Sequence, residues 1–319
     1  MKRTILFALT LAVIFSLTAF SATEVSVYME WFTNQTHSPL IVAKELGFYD
    51  EVGIDLTILP GADEPWLGAR EILAGRAQFC LMEMPYLAQA IWELNFPIKA
   101  IGAFNQQMPN CWVSLPTSPL DSFADLAGKI VNASPGFIME DLTVNLLEIM
   151  GLEPPTFVSY GWGAGPVLSG KAYAGSGWVN WEPYEIQREL GDVNVIRMAD
   201  YIDGYGLIIV TSNQIIADDP ALVRDFLAAT LRGFEYVRAN PTEAVQMVLD
   251  FVPDLYESDV TLGIQVDLDY LWDYEANGAS HQFYMSADRW DAFLRAAVFA
   301  ETLDVFGDVG DLYTNEFLR

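Results

Sequence analysis

The feature that most constrains this chain is an alternation of strand and helix signals that runs, stops and begins again. Val25, Val27 and Met29 alternate with Ser26, Tyr28 and Glu30, the period of a strand with one buried face. Ser38-Pro39 supplies an N-cap followed by proline at the first helical position, and Gly47 a stop after Leu46. Ile54–Leu59 then predicts a strand, Trp66–Ala74 a helix ended by Gly75, and Gln78–Met82 a strand. Pro85–Leu94 predicts a helix and Ile98–Phe104 a fourth strand. Such an order folds as a largely parallel sheet with helices on both faces.

After the loop Pro116-Thr117-Ser118-Pro119 the rhythm restarts. Strands are predicted at Lys129–Ala133, Thr156–Tyr160, Tyr173–Trp178 and Val193–Met198, and helices at Met139–Met150, Val167–Ser169 and Pro183–Leu190. Leu207–Thr211 is an unbroken apolar run, the pattern of a strand buried on both faces. The remainder reads as helices over Pro220–Arg238, Pro241–Phe251, Val260–Tyr270 and Ala287–Leu303, with Asp218 or Asp219 capping the first and Ser286 the last. A chain of 319 residues exceeds what one core usually organises. The expected division is therefore two α/β lobes, 22–113 with 208–319 and 114–207. The chain crosses between them near Cys111–Leu115 and Tyr205–Ser212, framing a hinged inter-lobe cleft of the kind that holds small ligands.

Residues 1–21 read as a segment outside the fold. Lys2 and Arg3 precede an uncharged apolar run from Ile5 to Phe20, and Ala19-Phe20-Ser21 has the small-x-small form of a signal peptidase site. A cleaved signal peptide and a periplasmic location are expected, since the run is short for a membrane span. With no cysteine following the run, a lipid anchor is not expected.

Charge and composition exclude whole classes of function. Asp and Glu number 43 against 16 Lys and Arg, a net charge of −27, so no broad basic surface exists to hold nucleic acid or anionic lipid. Apolar types form 52% of the chain, which excludes disorder. Cys80 and Cys111 both lie in or beside strand-like runs; two separate buried thiols and an export-compatible disulfide are both open. The two histidines, His37 and His281, form no HxxxH, and with no CxxC a structural zinc site is not expected. Nucleophile-elbow, P-loop and dinucleotide-binding motifs are lacking. The glycine-rich stretch 161–165 lacks the lysine of a phosphate cradle. No cofactor is expected.

Aromatics cluster where strands give way to loops: Trp31-Phe32, Trp162, and Trp178 with Trp181. The carboxyl ends of strands line the ligand crevice in open α/β sheets, and aromatic faces there suit a flat heteroaromatic ligand. For any one of these side chains, a place in the core is an equally physical fate. Glu182 has a rationale of its own: a carboxylate accepts from an exocyclic amine, and the bond is charge-assisted if the ring is protonated. It also fits as an acid opening the helix that begins at Pro183.

The stretch from Trp31 through Asn34, His37 and Ser38-Pro39 to Gly53-Ile-Asp-Leu resembles the opening of the NMT1/THI5-like proteins. The likeness continues at Gln106-Gln107, Ser134-Pro135-Gly136-Phe137, Trp181-Glu182-Pro183-Tyr184, Ala228–Pro241 and Tyr313–Leu318. These are ABC-transporter substrate-binding proteins of the SsuA and ThiY kind, with some enzymes among them. The resemblance implies a type II periplasmic-binding-protein fold, a small heteroaromatic ligand and an inner-membrane ABC permease as partner, with a monomer expected. It implies a thiamine pyrimidine as ligand (hydroxymethylpyrimidine or its formylamino precursor), with riboflavin as the alternative. On that pattern Trp31 stacks on the ring while Asn34, His37 and Gln106 make polar contacts. Glu83, Trp162, Trp178, Glu182 and Tyr184 complete the expected ligand-binding set.

Two loops depart from the family pattern, Gly61-Ala-Asp63-Glu64-Pro-Trp66 and Met82-Glu83-Met84-Pro85, adding bulk and negative charge. Anionic ligands are disfavoured because the candidate loops carry almost no Arg or Lys. The family's pyrimidine synthases carry a cysteine-rich segment where this chain has Asp203-Gly204-Tyr205-Gly206-Leu207. They also carry a histidine where this chain has Met84 or Pro85. A binding protein without enzymatic activity is the resulting expectation.

Overall fold

A computed structural model describes residues 22–318, apart from 63, 134–137, 162, 276–277 and 300–302. The expected signal segment, Asp63, the Ser134–Phe137 phrase and Trp162 lie outside the described residues.

In chain order the first elements are β1 (Thr23–Tyr28), α1 (Ser38–Glu45), β2 (Ile54–Leu59), α2 (Leu67–Leu73), β3 (Phe79–Glu83), α3 (Met84–Trp92) and β4 (Ile98–Ala103). There follow β5 (Asn110–Ser114), β6 (Ile130–Asn132), α4 (Ile138–Ile149), β7 (Thr156–Val158), α5 (Gly165–Leu168), β8 (Ala174–Trp178), α6 (Glu182–Leu190) and β9 (Asn194–Arg197). The last are β10 (Leu207–Ser212), α7 (Asn213–Asp218), α8 (Pro220–Ala239), α9 (Pro241–Phe251), α10 (Glu257–Val266) and α11 (Ala287–Phe299). One sheet has the order β2-β1-β3-β10-β4 and the other β7-β6-β8-β5-β9.

Each sheet is largely parallel, but each carries one reversed strand that the alternation alone does not foretell. β10 runs antiparallel to both β3 and β4, and β5 antiparallel to both β8 and β9. The reason is the path between the sheets. A helical crossover returns the chain to the starting edge and keeps strands parallel. The connections 104–109 and 198–206 instead pass directly from the carboxyl end of one sheet into the other. The incoming strand therefore starts at that same edge and runs backwards. The connection 104–109 comes just before the expected crossing Cys111–Leu115, and 198–206 shares Tyr205 and Gly206 with the expected Tyr205–Ser212; Cys111–Ser114 is strand in the second sheet, and Leu207–Ser212 is strand in the first.

β10 is buried on both faces, as its unbroken apolar run requires: Leu207 and Ile209 pack into one apolar layer, Ile208 and Val210 into the other. β5 alternates likewise, with Cys111 and Val113 in the first layer and Trp112 in the second, where its indole N–H donates to Thr143 Oγ1 at 3.0 Å. Cys80 on β3 and Cys111 are free buried thiols, one in each sheet, which settles the open pairing. After β10 the chain packs back on the first sheet: α8 and α9 lie on α1, and Thr314 N–H donates to Ala100 O at 2.9 Å along the edge of β4. Asp219 caps α8, accepting from Leu222 N–H at 3.0 Å. The helix expected over Val260–Tyr270 ends early, α10 widening into a π-type turn at Asp267–Leu271. That turn places Asp267, fully buried, behind the crevice between the sheets.

Candidate functional site

A cavity of about 540 Å³ opens between the carboxyl edges of the two sheets, within the range that encloses small organic ligands. From the first sheet it is walled by Glu30, Trp31, Phe32 and Asn34 after β1, by Ala62, Glu64 and Pro65 after β2, and by Met82, Glu83 and Tyr86 at the β3–α3 junction. From the second come Asn110 at the start of β5, Ser176 to Trp178 on β8, and Asn180 to Glu182 with Glu185 at the start of α6. Asn110 reaches this edge because β5 is reversed: it lies opposite Trp178 in the antiparallel register.

The β8–α6 corner shows how the sequence builds the wall. Glu182 is the first residue of α6, and its carboxylate folds back to accept from Trp178 N–H at 2.7 Å. Gly177 makes room for this, since a Cβ there would stand 2.7 Å from Glu182 Oε2. Glu182 thus opens the helix at its positive end and also lines the cavity. Burial, opposed by its backbone hydrogen bonds and reinforced by Glu185, pushes its carboxyl up to about 7. Across the cavity, β3 passes directly into α3 with no intervening loop, leaving Glu83 at the junction. Burial and the nearby Glu30 carboxylate push Glu83 to about 7 as well, against a hydrogen bond with Asn110.

Five aromatic side chains, Trp31, Phe32, Tyr86, Trp178 and Trp181, share this wall. Trp31 and Phe32 stand edge to face with ring centres 5.1 Å apart. Asn34 belongs to the wall, but its amide also shapes the loop, accepting from Thr36 N–H at 2.9 Å and donating to Phe32 O at 3.1 Å.

Of the expected site residues, Trp31, Asn34, Glu83, Trp178 and Glu182 are brought together on the cavity wall, and three are not. His37 is fully buried behind it. Its Nδ1 accepts from Asn34 N–H at 3.0 Å, so its Nε2 carries the proton and donates to Glu30 at 3.1 Å. It orients the wall rather than forming it. Gln106 is buried in the connection between sheets, donating to Gln282 O at 2.6 Å and Tyr284 O at 3.0 Å. Tyr184 is half-buried and not among the residues lining the cavity, its phenol raised to about 12 chiefly by burial. Trp162 falls outside the described residues.

Glu30, Tyr86, Asn110 and Glu185 line the cavity without having been singled out. Glu30 directly follows the β1 strand signal, and Tyr86 lies three residues after Glu83 in the first turn of a helix, so both had a positional signal. Asn110 had none, because only the reversed strand brings it here.

Behind the cavity a polar cluster ties the sheets together. Asn180 donates to Thr36 Oγ1 at 2.9 Å and to Asp267 Oδ1 at 2.7 Å, while its carbonyl accepts from Gln35 Nε2 at 2.8 Å. Burial holds the Asp267 carboxyl well above the usual range. Asn180 belongs to the second sheet's edge, and Thr36, Gln35 and Asp267 to the body built on the first.

A family model described as NMT1/THI5 like matches residues 34–244. The chain is 28% identical over 312 residues to a 4-amino-5-hydroxymethyl-2-methylpyrimidine phosphate synthase of Legionella pneumophila, covering 92% of each chain. It is 26% identical over 314 residues to the riboflavin-binding protein RibY of Chloroflexus aurantiacus, covering 92% of this chain and 86% of the relative. It is 26% identical over 232 residues to a formylaminopyrimidine-binding protein of Halalkalibacterium halodurans, covering 70% of this chain and 69% of the relative. Among solved structures it is similar to the periplasmic aliphatic sulphonate binding protein SsuA of Escherichia coli, with a TM-score of 0.68, 15% identity, and 91% and 92% of the two chains covered. Two mixed α/β sheets facing each other across a cavity, and a family match over most of the chain, lead to one conclusion: this protein belongs to the NMT1/THI5-like family and has the periplasmic-binding-protein fold.

Proposed function

We propose that this protein is the solute-binding component of an ABC importer, capturing a small heteroaromatic vitamin precursor in the periplasm. The observation that carries the proposal is the cavity itself, whose aromatic faces and hydrogen-bonding carboxylates come from both sheets. A ligand touching both lobes favours the closed arrangement in proportion to its extra affinity for that state. The closed form then docks on the permease. The lobe boundaries fall in the two connections, 104–109 and 198–206, which act as the hinge. Export rests on the charged and apolar pattern of residues 2–21.

A thiamine pyrimidine is the ligand proposed. In this reading its flat ring stacks on the aromatic wall that includes Trp31 and Trp178, and its exocyclic amine donates to Glu182. The formylaminopyrimidine-binding relative supports this choice. Riboflavin is the alternative, supported by the RibY relative and by the room in the cavity.

The synthase name carried by several relatives, the Legionella pneumophila protein among them, gives a second reading, catalysis. Binding without turnover is the reading we favour. The stretch 203–207 has no cysteine, and neither Met84 nor Pro85, the positions where the resemblance implies a histidine in the synthases, is one. Met84 is fully buried, its sulfur accepting from Tyr205 N–H at 3.1 Å.

The test is intrinsic tryptophan fluorescence, titrated in parallel with hydroxymethylpyrimidine, its formylamino precursor, thiamine and riboflavin. Each ligand is recovered afterwards and weighed by mass spectrometry. Saturation by one of them with the ligand recovered intact is the expected result. A changed ligand mass would overturn the carrier reading, and silence from all four would overturn the ligand class.

A further inference from the structure

The charge of the cavity goes further than its shape. Among the described residues lining it, five are glutamates (Glu30, Glu64, Glu83, Glu182 and Glu185) and none is Lys, Arg or His. Three of these carboxylates have local partners: Glu64 pairs with Arg70 at the rim, Glu30 accepts from His37, and Glu185 accepts from Ala164 N–H at 2.7 Å. Among these five, Glu64 alone is paired with a cationic side chain. Glu83 and Glu182 line the cavity from opposite sheets, bonded to the Asn110 amide in one case and to backbone N–H groups in the other, and each has a second carboxylate nearby, Glu30 and Glu185 respectively.

Two acids facing a common space from opposite sheets, with no cationic side chain among the described residues of its wall, are costly as charges unless they take up protons or something positive fills the space. The walls between them are aromatic, and aromatic faces attract cations as well as flat rings. The same wall repels phosphate or sulfonate groups. We propose that the ligand is bound as a cation: a planar nitrogen heteroaromatic carrying one positive charge, with Glu83 and Glu182 as its counter-charges from the two lobes. This rests on the heteroaromatic-carrier reading and adds the charge state and the second anchor. Closure then brings the two carboxylates toward one charge. The structure thereby gives Glu83, on the first sheet, a role equal to that of Glu182.

The test holds ring shape constant and varies ring basicity. Hydroxymethylpyrimidine is compared with its aminopyridine and aminobenzene counterparts, bearing the same substituents, by calorimetry at pH 8. The aminopyridine used keeps the ring nitrogen para to the amine, so its ring is protonated there and the benzene ring is not. The cationic ring is expected to bind about tenfold tighter than the neutral one, the increment of a charged over a neutral hydrogen bond. In the Glu83→Gln/Glu182→Gln double variant that preference should fall to within about threefold. Equal binding of the cationic and neutral rings to the wild type would overturn the charge claim while leaving the carrier reading intact. So would a preference unchanged in the variant, or tight binding of riboflavin alone. Failure of every one of these probes would overturn both.

Discussion

Replacing Glu83 with Gln should make the unliganded protein more stable, and more so at high pH. The physical reason is that Glu83 is held in a poor place for a charge. Burial and the Glu30 carboxylate carry its carboxyl from the ordinary 4.5 to about 7, a displacement only partly offset by the Asn110 hydrogen bond. The folded state therefore holds a proton more tightly than the unfolded state, and stability falls as pH rises from 4.5 through 7. The shift amounts to about 3 kcal/mol once both states are ionised at about pH 8, and about 1 kcal/mol at about pH 5. Gln keeps the volume and an oxygen for Asn110 but removes the charge. Urea unfolding of wild type and Glu83→Gln at the two pH values is the assay. The variant should gain about 3 kcal/mol at the higher pH and about 1 kcal/mol at the lower. A variant no more stable than wild type at pH 8, or one whose gain is the same at both, would refute the reasoning.

Other consequences follow from single contacts. Trp31→Ala and Trp178→Ala should each weaken ligand binding about tenfold in the fluorescence or calorimetric titration; Trp178→Ala should also lower the unfolding midpoint, because that indole packs against the core. Asn180→Ala removes both donors that reach Thr36 and Asp267. It should cost about 2 kcal/mol in urea unfolding, a loss that an unchanged midpoint would contradict. Gly233→Ala would set a Cβ 2.0 Å from the Pro39 carbonyl, where α8 meets α1. Several kcal/mol of stability should be lost, read by the same unfolding assay. Cys80 and Cys111 are buried, with burial raising both thiols. A thiol reagent should label neither in the native protein and both in denaturant.

How much of this was legible in the sequence differs by level. Local signals were strong where they were locally enforced. Ile54–Leu59 and Pro241–Phe251 coincide with β2 and α9, because alternation, a flanking proline and a stop residue all act within a few residues. Strand direction was not legible. Nothing in Asn110–Ser114 or Leu207–Ser212 says which end enters first; that depends on the chain arriving from the other sheet. The cavity inherits this limit. Residues after strands β1 and β8 were placed by the rule that carboxyl ends line the crevice, whereas Asn110, at the amino end of a reversed strand, was not.

His37 and Gln106 mark a second limit. Each lies next to the site in sequence, yet one is turned inward by the loop that Asn34 caps and the other by the turn at Gln282–Tyr284. A polar residue near a site and one facing it have the same sequence signature. The early end of α10 is a third case. The apolar spacing continues past Val266, but the wider turn there is set by burying Asp267 against Asn180, a contact long-range in sequence.

In the carrier reading, one small ligand joins the two sheets across the cavity. Hydrogen exchange read by mass spectrometry, with and without saturating hydroxymethylpyrimidine, tests it most directly. Slowed exchange is expected in two segments at once, 30–36 after β1 and 176–182 at the β8–α6 corner, with little change on the outer helices. Protection of one segment without the other, or of neither, would contradict it.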